Sequence, residues 1–274
     1  MKKFLTCLSF VFFMGCDQDP NTFFNLGEFR VLTLQADQPE IDGTSLTPVA
    51  VQITPFVSDV DAGGRNVSLT ILGCIDPGIT LGNEPSCDPS SSGTQTIVYA
   101  DVDTATLGTR FTGALPAFTV NIPPGILAGQ TERNKFNGLN YLVTVTFEAG
   151  NDEVSVYKRI LVSERTPKNQ NPQIQNILLN DSTTGDLEDQ DELTISVTSG
   201  FNPQSYDVMG DDGVMIEKTE QYTISWFSFK GTTDLSRTFL DETNLFELNP
   251  GATNPFVVAI LRDDRGGIDF QLRE

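Results

Sequence analysis

Apolar and polar residues alternate in short runs along most of this chain, and clusters of Gly, Pro, Asn, Asp and Ser separate the runs. Alternation at period two is the pattern of a strand with one buried face. Residues 29–35 set Phe29, Val31, Thr33 and Gln35 against Arg30, Leu32 and Leu34. The run 48–57 places Val49, Val51 and Ile53 on one face, and Val67, Leu69 and Ile71 lead at the same period to Cys74. Residues 75–93, rich in Pro, Gly and Ser, predict a loop, and 96–99 and 118–122 predict further strands. Runs 141–147 and 154–162 flank Gly150-Asn151-Asp152 and predict a hairpin, because Gly and Asn tolerate the positive φ of a tight turn.

Pro167 and Pro172, with polar residues between them, interrupt every apolar pattern and predict a semi-stiff linker over 166–172. The expected organisation is therefore one sandwich over 28–165 and a second over 173–274. In the second, strands are predicted at 174–179, 193–197, 214–216, 222–229, 246–248 and 256–261. The last pairs through Asp263-Asp264-Arg265-Gly266-Gly267 with 268–272. Trp226 shares a face with Tyr222 and Ile224 and is expected in the core. Each half opens on a strand and a polar turn and closes on a Gly-containing hairpin, a parallel in pattern rather than in residues. The fold class predicted is all-β, with two tandem β-sandwich domains. The aromatic segment 222–230 and the closing run 257–270 resemble the Ig-like and PKD-like repeats of bacterial surface lipoproteins. That resemblance implies immunoglobulin-like sandwiches, although the Cys–Trp–Cys signature of antibody domains is absent.

The first residues have a different character. Met1-Lys2-Lys3 is a short positive region, and residues 4–14 form an apolar run of eleven. A spanning helix needs about 20 residues, so this run is the length of a secretory signal core. It ends in Phe13-Met14-Gly15-Cys16 and turns polar at Asp17-Gln18-Asp19-Pro20. Gly15-Cys16 resembles the closing pair of the bacterial lipoprotein lipobox, with Phe13 and Met14 standing where that family has Leu and a small residue. The resemblance implies a signal peptide over 1–15, a diacylglycerol-linked Cys16 and a lipidated tether over 16–27. An ordinary cleaved signal peptide is the alternative. Asp17 resembles the inner-membrane retention signal of enterobacterial lipoproteins, so the membrane and leaflet stay open; the expectation adopted is a lipid-anchored protein of the outer membrane, on its periplasmic face or the cell surface.

Composition narrows the chemistry. The 274 residues carry 37 acidic and 17 basic side chains, a net charge of −20. Losing Lys2 and Lys3 with the leader takes that to −22. Such a field repels phosphate backbones and anionic headgroups, so nucleic acid is not an expected partner and membrane contact needs the lipid. There is no histidine, which removes Ser–His–Asp and Cys–His catalysis and the common zinc sites.

Beyond Cys16 the mature chain has two cysteines, Cys74 and Cys87, expected to pair in an exported protein. Their bond would staple a loop that has no core of its own; a pinned recognition loop is the functional version. Acidic clusters at Asp59 and Asp61, Asp101 and Asp103, Asp211 and Asp212, and Asp263 and Asp264 suggest calcium. The densest cluster, 185–192, carries five carboxylates and offers Asp186, Asp189 and Asp191 as ligands, since calcium takes six to eight hard oxygens. A helix-flanked calcium loop does not fit: with Asp59 as the first position, the twelfth is Thr70, not Glu. A solvated turn is the other reading of these charges. The expected function is non-enzymatic, structural or adhesive, with a protein or glycan partner in the envelope. The alternative is a carboxylate-dependent glycan-acting enzyme, or its sugar-binding accessory, with two acids roughly 5–10 Å apart.

Overall fold

A computed structural model describes residues 24–78, 84–99, 105–106, 110–199 and 202–274. The first half runs β1 (Arg30–Ala36), β2 (Glu40–Asp42), β3 (Val49–Asp59), β4 (Asn66–Ile75), β5 (Gln95–Ile97), β6 (Ala105–Thr106), β7 (Phe111–Ala114), β8 (Phe118–Ile122), α1 (Glu132–Asn137), β9 (Leu139–Ala149) and β10 (Asp152–Ser163). In one sheet β3 pairs with β1, β7 and β8; the other has the order β2-β10-β9-β4-β5, with β6 also on β4. Val51, Ile53, Val120 and Ile122 from the first sheet meet Val67, Ile71, Val143, Val145 and Phe147 from the second in one buried cluster. The β9–β10 hairpin pairs Ala149 with Asp152, and Gly150 takes the positive φ of 65° that its two-residue turn requires.

The second half follows as β11 (Ile174–Leu179), β12 (Asp191–Val197), β13 (Ser205–Met209), β14 (Met215–Thr219), β15 (Tyr222–Phe229), β16 (Gly231–Thr233), β17 (Arg237–Phe239), β18 (Asn244–Leu248), β19 (Phe256–Asp263) and β20 (Ile268–Arg273). Its sheets have the orders β11-β12-β18-β16 and β17-β15-β19-β20, with β13 and β14 as a separate ribbon. Between the two sheets lies a second cluster around Trp226, which is fully buried with Tyr222 and Ile224. Its indole Nε1 donates to Thr238 Oγ1 at 2.9 Å, so the ring enters the core without an orphaned donor. The chain is all-β apart from one short helix among the described residues.

A third apolar cluster joins the halves. In β19, Val257, Ala259 and Leu261 face the Trp226 core, while Phe256, Val258 and Ile260 face the first half. There they meet Leu32 of β1 and Phe56 of β3, and Phe56 stacks on Phe270 with ring centroids 4.1 Å apart. The sheet β17-β15-β19-β20 is therefore covered on both faces, as the unbroken apolar run 256–261 requires.

Besides short strands that the alternation did not predict, such as β2, β7 and β13, the structure departs from the sequence expectation as follows. Simple alternation over 29–35 fails, because the register of β1 on β3 slips between Val31 and Thr33. The extra residue, Leu32, turns into the seam between the halves, while Phe29, Leu34 and Ala36 serve the first core. Of the segment expected as tether, residues 24–27 dock: Leu26 is buried in the seam and its N–H donates to Ser228 O at 2.6 Å. Residues 166–172, expected as a semi-stiff linker, are held by side-chain bonds, with Asn169 3% exposed. Finally, α1 was not foreseen; Thr131 caps it by accepting from Asn134 N–H, and Gly138 ends it at φ 90°.

Phe56→Ala tests the seam. It should lower the unfolding free energy by about 3–5 kcal/mol, and calorimetry should show both halves melting together in one shifted transition. Two resolved transitions, with only one displaced, would contradict a shared core.

Candidate functional site

The polar counterpart of the seam is a cluster of buried charges where β2, the segment 165–169 and the β19–β20 turn converge. Glu40 opens β2, which runs parallel to the end of β10 with Glu40 opposite Leu161. Its side chain is sealed from solvent, as are those of Arg165, Arg265 and Glu220, all at 4% exposure or less. Arg265 Nη2 approaches Glu40 Oε2 at 2.5 Å, and its Nη1 approaches Glu220 Oε1 at 2.9 Å. Arg165 brackets Glu40 from the other side, with Nη2 3.2 Å from Oε2 and Nε 3.3 Å from Oε1. Ser163 Oγ and the Asn169 N–H complete the shell of donors. The Tyr206 ring lies between the guanidinia, 4.5 Å from Arg265 and 5.1 Å from Arg165.

Burial alone would raise the Glu40 pKa. The hydrogen bonds from Ser163 and Arg165 and the charges of Arg165 and Arg265 outweigh it, and the carboxyl titrates below its ordinary value. Asp263, at the base of the same turn, is shifted the other way by desolvation, although it accepts from Asn169 Nδ2, Arg265 N–H and Gly267 N–H. Gly267 is required there, because a Cβ would collide with the Asp263 carboxylate. Burial also raises Tyr222, whose hydroxyl donates to Glu220 at 2.7 Å. A cavity of about 400 Å³ opens beside the cluster, lined among others by Asn140, Arg159, Tyr206 and Asp264. Here each acid is committed to arginine or backbone donors, so the arrangement fixes the halves against each other.

The residues singled out in the sequence fare differently. Cys16, with Asp101 and Asp103, lies outside the described residues. Cys74 and Cys87 form a disulfide with Cα atoms 5.7 Å apart, and it packs against Leu142. Asp186, Asp189 and Asp191 are not gathered: among the described residues no group of three acids could hold a metal ion. Asp191 instead accepts from Asn180 Nδ2 at 2.6 Å and Glu188 N–H at 2.7 Å, and Asp189 accepts from Leu248 N–H at 2.8 Å. These carboxylates tie the β11–β12 turn to β18, the bonding that Asp side chains make in loops. Asp59, from another suspected cluster, is fully buried against Arg65 at 2.6 Å. Sequence reasoning missed Glu40, Arg165, Glu220 and Arg265, whose sole signal is a charge next to strand residues.

No protein-family model matches the chain, and no curated protein matches it. Among solved structures, Escherichia coli alpha-2-macroglobulin activated by porcine elastase aligns with 12% identity over 90% of this chain and 22% of that one, at a TM-score of 0.26. A Salmonella alpha-2-macroglobulin mutant aligns with 10% identity over 88% and 16%, at a TM-score of 0.23. The chain spans about a fifth of the length of these proteins.

Glu40→Gln leaves two buried guanidinia short of a counter-charge and should cost about 3–5 kcal/mol at neutral pH. Because the folded-state pKa is depressed, Glu40 stabilises fully above its unfolded value of about 4.3 and loses that contribution as pH falls through the folded one. Urea titrations should therefore show the gap between wild type and variant closing only below the ordinary carboxylate range. A gap independent of pH would contradict this.

Proposed function

We propose that this chain is a lipid-anchored protein of the bacterial cell envelope, in which two tandem immunoglobulin-like sandwiches form one stiff body with a structural or adhesive role. The observation that carries the reading is the N-terminal order of Lys2-Lys3, an eleven-residue apolar run, Gly15-Cys16 and an immediate polar break. An acidic chain of this charge has no electrostatic affinity for a bilayer, and acyl chains on Cys16 supply about 0.8 kcal/mol per buried methylene. From Cys16 to the first described residue, Phe24, which packs against the seam, there are eight residue steps, a reach of at most about 30 Å. The body thus sits close to the membrane, in the outer membrane by this reading, and presents its loops to a protein or glycan partner. The buried seam and charge cluster suit that role, since a stiff body transmits force and orientation where a hinged one would not.

Metabolic labelling with palmitate should mark the wild-type protein and send it to the membrane fraction. Cys16→Ser should lose both label and sedimentation. Equal labelling of the two would sink the anchor.

A further inference from the structure

The opposite side of the joint carries an unbalanced charge. The edge strand β1 and residues 155–158 of β10, which lie before the stretch that β2 covers, leave an open mouth there, beside Arg237 of β17 and Arg262 of β19, around a cavity of about 590 Å³. Lys158, Arg237 and Arg262 all line it, and none of the three forms an ion pair among the described residues. In a chain with 37 acids and 17 bases, three unpaired cations in one cleft stand against the electrostatic trend. Lys158, 5% exposed, donates to the neutral Gly266 O at 2.6 Å. Arg262 donates to Ser225 Oγ at 2.8 Å and Leu32 O at 3.4 Å, again neutral acceptors. The Arg237 side chain is exposed and makes no hydrogen bond among the described residues. Burial, and then the neighbouring charge of Arg237, lowers Arg262 to about 10; burial lowers Lys158 to about 8, opposed by the charge of Asp263 and assisted by that of Arg262. The fold tolerates this repulsion where an anion from outside would relieve it.

We propose that this cleft binds an anionic saccharide, its sulfate or carboxylate held by Arg237 and Arg262 and its ring against Tyr157. The volume falls in the range of small-ligand sites, roughly 300–1,000 Å³, and fits one or two sugar rings. Tyr157 is 40% exposed at the mouth; Arg159 lies over one face of its ring, 5.3 Å from the centroid, which leaves the other face for a sugar, and Thr33 also lines the cleft. Guanidinia suit planar or tetrahedral oxyanions through paired N–H donors. Glu84 also lines the cleft, and its charge opposes the ligand. The inference deepens the adhesive reading by naming a ligand class, and does not need the lipid.

The full chain is titrated calorimetrically with a sulfated disaccharide, a uronic-acid disaccharide, a neutral disaccharide and an oligoglutamate peptide. The charged sugars should bind and the neutral one should bind at least about tenfold more weakly, as expected when charge-assisted bonds are lost. Arg237→Ala, at an exposed position, should keep the melting temperature and weaken charged-sugar binding about fivefold or more, whereas Glu84→Gln should strengthen it. Equal affinity for charged and neutral sugars, affinities unmoved by either variant, or tighter capture of the peptide than of either sugar overturns the proposal. Such a failure alongside intact palmitate labelling would leave the anchor reading standing.

Discussion

A carboxylate sealed from water must be surrounded by donors, and Glu40 finds them on both sides of the joint. Arg165 and Asn169 come from the connecting segment and Arg265 from the last turn of the second half, over a hundred residues away. Taking two such charges out of water costs several kcal/mol each unless geometry and further hydrogen bonds compensate. The compensation exists only when both halves are folded and seated. Every element that touches the cluster is thereby fixed: β2 beside β10, the proline segment under the turn, and Glu220 before β15.

The apolar seam supplies what the charges do not. Buried ion pairs are weak sources of net stability, whereas Leu32, Phe56, Phe256, Val258 and Phe270 remove large apolar surfaces from water. The two act on different aspects of the joint. The seam makes the halves adhere, and the charge cluster makes one orientation preferable to its neighbours. The ribbon of β13 and β14 extends the grip, with Asn137 of α1 exchanging two bonds of 2.8 Å with the backbone of Met209. A chain built this way behaves as a single bracket rather than as beads on a string.

Much of the strand content was legible, because half-buried strands declare themselves by alternation. The runs at 141–147, 154–162, 222–229 and 256–261 all lie in strands. The run 256–261 also announced more than a strand, since six consecutive apolar residues imply cover on both faces; the two-sided burial of β19 is what that signal meant. The rest was hidden for physical reasons. A one-residue bulge at Leu32 reverses a face without changing composition. Pro167 and Pro172 look the same in a free linker as in a segment pinned by side chains that lie far off in sequence. Asp189 and Asp191 read as calcium ligands because a carboxylate that accepts from backbone N–H groups has no distinguishing local pattern. The partners of Glu40 are set by tertiary geometry, which no spacing rule encodes.

Amide hydrogen exchange across the joint tests the single-body account most directly. The N–H groups of Leu26, Asn169 and Met209 donate to Ser228 O, Glu40 Oε2 and Asn137 Oδ1, at 2.6, 3.0 and 2.8 Å. If the halves move as one, these amides exchange only on global unfolding, as slowly as the core strand amides. Fast exchange at Leu26, Asn169 and Met209, with the two cores still protected, would show a hinge between the halves and contradict the account.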